Sequence, residues 1–155
     1  MRRARAEILS SNVVYNGKSP YICCAKQMKT VEIEQNLWGF SPEGEGGLLY
    51  TMRNASGGEV LLTNAGAALV GVRLPNADGT LTNVVAGYGS FDEYIDDTVG
   101  MGKIIGRTSG VITRGRLVIG DQTSRLAVNR PPHHVDGGRK GFGVRMWEAR
   151  TEVNR

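Results

Sequence analysis

From Met28 onward the sequence reads as short apolar stretches separated by turn residues, glycine, proline and asparagine among them, a pattern that suits short strands and not long helices. Residues 31–33 alternate with acids, 48–52 are apolar and aromatic, and 60–63 follow the Gly57-Gly58 turn. Residues 67–74 form the longest such run and end at Pro75-Asn76-Ala77-Asp78-Gly79, where proline sets φ and glycine permits positive φ. A further strand is expected over 83–88. Residues 116–119 and 125–129 flank Gly120-Asp121-Gln122-Thr123, a composition suited to a hairpin connection, and a last strand is expected over 146–152. One short helix is expected after Ser90, because Glu93 three residues later completes a capping box. The 22 glycines are about double an average share, which with 6% aromatic content points to many turns. An all-β chain follows, with an antiparallel β-sandwich favoured over α/β.

A chain of 155 residues suffices for one domain that buries roughly 70% of its unfolded surface. Its formal charge of +4 raises nucleic acid or a membrane surface as partners, and the placement of that charge argues against both. Residues 1–27 hold Arg2, Arg3, Arg5, Lys18 and Lys26 against Glu7 alone, while 28–155 hold 14 basic and 14 acidic residues. We therefore divide the chain into a leader, 1–27, read as disordered or as an upstream extension, and a domain, 28–155. Both cysteines, Cys23 and Cys24, lie adjacent in the leader, so no disulfide framework is implied. No window approaches the ~18 apolar residues of a membrane span, and Asn, Gly, Lys and Pro interrupt the leader before a signal-peptide core can form. The expected location is cytoplasmic.

Three segments carry a family resemblance. LLTNAGAALVGVRLPNADGTLTNVVAGYGSFDEYI reads as strand, Pro…Gly turn, strand and short helix; GRTSGVITRGRLVIGDQTSRLAVN follows from Gly106; NRPPHHVDGGRKGFGVRMWEA follows from Asn129. In this order and near this spacing they resemble the N-terminal half of the aldose 1-epimerase (galactose mutarotase) family, whose pattern is G-R-x-x-N-R-I followed by N-x-x-x-N-x-L-H-G-G-x-x-G-F…W. The resemblance covers the chain from about residue 28 to its end. It implies a large antiparallel β-supersandwich with an open cleft for a hexose, of which 28–155 would be the incomplete N-terminal half. It also implies interconversion of the α and β anomers of free hexoses such as galactose or glucose. In that reaction a base takes the anomeric hydroxyl proton while an acid protonates the ring oxygen, and no metal or nucleotide cofactor is needed.

In the family the carboxylate base and the acid histidine both lie in the second half, so no catalytic residue falls within this chain. The first half supplies sugar-binding side chains. Its Asn-Arg pair falls on Gly110 and Val111, which removes both donors, and its L-H-G-G histidine falls on Asp136, with Gly137 and Gly138 retained. An ionised aspartate accepts hydrogen bonds from hydroxyls but donates none. His134, two positions earlier, would share a side with Asp136 in an extended segment, and these two are the sugar-binding candidates. Gly106, Gly115, Gly141, Phe142 and Trp147 match the family at positions that packing explains.

Other motifs are better explained by plain structure. His133 and His134 diverge in a strand and lack further ligands at a suitable spacing, so no metal site is expected. The glycines of GGRKGFG lack a G-K-[ST] ending and a following helix, which argues against a phosphate loop. Asn54-Ala55-Ser56 is a formal glycosylation sequon that matters only on export, and Asp92, Glu93, Asp96 and Asp97 read as the solvated face of a capped turn. The partner expected is a hexose. Open sheet edges further suggest a complementing chain or self-association. Against the epimerase stands a non-catalytic carbohydrate-binding or structural protein, or a degenerate fragment, of the same fold.

Overall fold

The computed structural model describes residues 5–9 and 31–152. In chain order the elements are β1 (Arg5–Leu9), β2 (Glu32–Phe40), β3 (Gly46–Arg53), β4 (Glu59–Thr63), β5 (Ala68–Pro75), β6 (Leu81–Asn83), α1 (Phe91–Ile95), β7 (Val111–Ile112), β8 (Arg116–Ile119), β9 (Gln122–Arg125), β10 (His134–Val135) and β11 (Glu148–Glu152). Strands β2 to β6 form one antiparallel sheet in sequence order, so each strand pairs with its chain neighbour through a tight turn. Three two-stranded pieces complete the described fold: β8 with β9, β7 with β10, and β1 parallel to β11. The rest of the stretch read as leader lies outside the described residues, both cysteines included.

Strict alternation in β4 sets the core face. Glu59, Leu61 and Thr63 point inward, and Leu61 joins Ala65, Ala68 and Val70 in the buried cluster. Helix α1 closes this face with Phe91 and Tyr94, both essentially without solvent contact. Burial of a ring such as Phe91 contributes about 2 kcal/mol. Trp38 on β2 meets both rings, edge-on to Phe91 at 6.2 Å and tilted to Tyr94 at 5.7 Å. The ring of Phe91 lies against the backbone of Gly39, where a Cβ would stand 2.6 Å from its Cδ1. A side chain at Gly39 would therefore lift α1 from the sheet.

The expected capping box is present. Ser90 Oγ accepts from the Glu93 amide, and the Glu93 carboxylate accepts from the Ser90 amide at 2.9 Å. Three expected strands are corrected. The strand expected over 83–88 lies earlier, at Leu81–Asn83, and shares only Asn83 with the expectation; there the Asn83 side chain accepts from the Val72 amide at 3.0 Å in place of a backbone carbonyl. The hairpin connection is Gly120-Asp121 alone, so Gln122 and Thr123 pair with Ile119 and Val118, and the returning strand stops at Arg125. The last strand begins at Glu148, since Met146 makes only an isolated bridge to Ala65. Among the described residues no helix is long and apolar enough to cross a membrane.

Candidate functional site

Residues 106–112 and 129–142 meet at one end of the fold, joined by the β7–β10 pair, Val111 opposite Val135 and Ile112 opposite His134. Beside them lies a cleft of about 130 Å³, whose lining includes Lys103, Asn129, Arg130, Asp136, Gly138 and Val144. Asn129 shapes one wall. Its amide side chain imitates a strand, accepting from the Val135 amide at 2.7 Å and donating to the Val135 carbonyl at 2.9 Å. The glycines are tightly packed. Gly106 stacks on the Phe142 ring, and a Cβ on Gly137 would collide with the Gly106 carbonyl, so this turn accepts no side chain there.

Asp136 adopts φ 50, in the left-handed region, so the extended alternation ends at Val135 and Asp136 turns away from the direction His134 takes. The Asp136 carboxylate accepts from the Gly110 amide at 2.7 Å, and the Asp136 amide donates to the Gly110 carbonyl at 3.1 Å. Among the described residues the other carboxylate oxygen has no donor, and it remains for an outside one. His134 is buried: Nδ1 donates to the Ala127 carbonyl at 2.7 Å, which leaves Nε2 to accept from the Thr108 hydroxyl at 2.9 Å. Both nitrogens are used. His133 points elsewhere, with Nδ1 3.4 Å from the Arg114 amide, and among the described residues no three His, Cys, Asp or Glu side chains converge as a metal site would need.

Beneath the cleft lies a group that sequence reasoning missed. Asp97, read as part of a solvated acidic face, has a fully buried side chain 3.1 Å from the Lys103 ammonium, itself only 5% exposed. Asp97 also accepts from the Tyr88 hydroxyl at 2.9 Å and from the amides of Val99, Gly100 and Met101, while Lys103 donates to the Tyr94 carbonyl at 2.5 Å. Burial pushes the Asp97 carboxyl up, but these donors outweigh it, so the group lies below the usual carboxylate range. The pair ties α1 to the cleft floor. The one sequence signal for it is Lys103 itself, a lone cation six residues after an acidic run.

The family model described as aldose 1-epimerase matches residues 48–154. The chain belongs to the aldose 1-epimerase family. Among its relatives, the aldose 1-epimerase of Escherichia coli (strain K12) is 30% identical over 115 residues, covering 74% of this chain and 33% of the relative. The galactose mutarotase of Mus musculus is 25% identical over 124 residues, 80% of this chain and 36% of the relative. Two solved structures share the fold: galactose 1-epimerase from Lactobacillus acidophilus (TM-score 0.68, 22% identity, 81% of this chain and 36% of that one) and an aldose epimerase homologue from C. elegans (TM-score 0.59, 23% identity, 80% and 33%). The chain spans about a third of the length of these relatives. The all-β aldose 1-epimerase fold expected from the three segments is therefore established.

Proposed function

We propose that this chain forms one wall of the hexose site of an aldose 1-epimerase and does not interconvert anomers alone. The observation that carries the proposal is the contact between Asp136 and Gly110, which joins the two segments where the family places its sugar-binding side chains. At that junction Asp136 offers a free carboxylate oxygen to a sugar hydroxyl, with Arg130 and Asn129 on the same cleft. Buried His134 supports the wall and orients it, since both of its nitrogens are spent within the protein. The acid and base of the family reaction are not assigned to any residue here. The proposed setting is the cytoplasm, a reducing compartment that a domain without cysteine fits but does not require.

Polarimetry of freshly dissolved α-galactose tests the catalytic half of the proposal. With the chain present, rotation should relax at the buffer rate, and a faster, protein-dependent rate would reject it. A second reading, a carbohydrate-binding module without catalysis, is favoured by Gly110 and Val111, which carry no polar side chain where the family pattern has Asn-Arg. Acceleration on adding a polypeptide that carries the family's acid and base would decide for the epimerase.

A further inference from the structure

Behind its overall neutrality the domain is divided in charge. Residues 31–100 hold ten carboxylates against Arg53 and Arg73, whereas 101–147 hold nine cations against Asp121 and Asp136. The acidic half includes a free sheet edge. Strand β2 ends the five-stranded sheet, and its outer side pairs with no strand among the described residues. It exposes Glu32 and Glu34 together with Leu37 and Phe40, the last two at 60% and 61%. Beside them a groove of about 250 Å³ is lined by Glu32, Ile33, Glu34, Thr51 and Arg53. Arg53 stands across from Glu32 in the register and feels both glutamates, but its guanidinium is bonded to Glu59 at 2.5 Å, so one cation serves three carboxylates and the edge keeps a net negative charge.

The basic half presents the complementary surface. The β8–β9 ribbon pairs with no other strand among the described residues, and a lone two-stranded ribbon is marginal in water. Arg116 and Arg125 stand directly opposite each other in its register, an arrangement that repels unless an acid lies between them. Arg114 adjoins them, and among the described residues none of the three lies within ion-pair distance of a carboxylate. The ribbon also exposes Val118 and Ile119, at 53% and 70%.

We infer that the β8–β9 ribbon of one copy of this chain seats on the β2 edge of a second copy. Arg116 and Arg125 meet Glu32 and Glu34 across the groove, Val118 and Ile119 cover Leu37 and Phe40, and the ribbon extends the five-stranded sheet. Charge complementarity selects a second copy as the occupant, and pairing removes the exposed edge that otherwise invites aggregation. Ribbon and edge are different surfaces, so the contact is heterologous and closes as a ring or reciprocal pair or else propagates.

Sedimentation velocity on the full chain tests this directly. Association should weaken about ten-fold or more in dissociation constant between roughly 0.05 and 0.5 M NaCl, as exposed charge pairs are screened. The Arg116→Glu/Arg125→Glu variant and the Glu32→Lys/Glu34→Lys variant should each sediment as monomers, with wild-type circular dichroism. An equimolar mixture of the two variants should associate again through the inverted pair. A wild-type monomer at low salt would overturn the inference. So would association that neither salt nor charge reversal changes, or a mixture that stays dissociated.

Discussion

Asp136 and Gly110, 26 residues apart, hold each other through two hydrogen bonds, one from the Gly110 amide to the Asp136 carboxylate and one from the Asp136 amide to the Gly110 carbonyl. The glycine at 110 takes φ 69 with open space around it, a backbone that presents its amide to the Asp136 carboxylate.

That contact is testable by replacing Asp136. Asp136→Ala loses the hydrogen bond and retains a left-handed backbone, and should cost about 2 kcal/mol. Asp136→Gly loses the same bond and relieves the backbone, so it should cost less than Asp136→Ala. Urea denaturation of the three proteins measures the order, and an Asp136→Gly variant no more stable than Asp136→Ala would contradict the backbone argument.

The Asp97–Lys103 pair should be costly to break from either side. Lys103→Met leaves a buried carboxylate without its cation and should lose about 3 kcal/mol or more. The Asp97→Asn/Lys103→Met double variant should recover part of that loss, because no uncompensated charge remains. Denaturation midpoints for the single and double variants give the coupling.

Glu59 is bound by Arg53 on β3 and Arg73 on β5. The Arg53 hydrogen bond, partly offset by burial, holds its carboxyl below the ordinary value. A carboxylate whose folded pKa is depressed adds stability above its unfolded value, about 4.3, and loses it as pH falls through the folded one. The stability difference between wild type and Glu59→Gln should therefore be largest near neutral pH and shrink below about pH 4. Thermal melts across that range measure it.

Gly138 lies against the imidazole of His134, where a Cβ would stand 2.8 Å from Cε1, and it adopts φ 75. Gly138→Ala should destabilise by roughly 2 kcal/mol through strain and the displaced ring. A histidine NMR signal showing His134 released from Ala127 and Thr108 would confirm the route.

Strands β3 to β5 were legible because alternation and glycine turns are local signals, and the Ser90 box is local too, whereas of β2 (Glu32–Phe40) only the start was expected, over 31–33. Strand β6 was misplaced, expected over 83–88 and found at Leu81–Asn83, because the Asn83 side chain replaces a backbone partner, a choice that no apolar pattern records. Asp97 was misjudged for a related reason: four acids in six residues read as solvated, and only the folded chain brings Lys103 and Tyr88 onto one of them. In the candidate site, motif spacing located the Gly106 and Asn129 segments, but the pairing of Asp136 with Gly110 and the burial of His134 arise from contacts across the fold.

The central claim is that the Gly110–Asp136 junction faces a sugar. Amide chemical-shift mapping of the isotope-labelled chain with excess galactose tests it most directly. The amides of Gly110, Asn129 and Gly138 should shift with a common saturation curve while those of β3 and β4 stay fixed. Shifts absent from the cleft at saturating sugar, or confined to the five-stranded sheet, would contradict it.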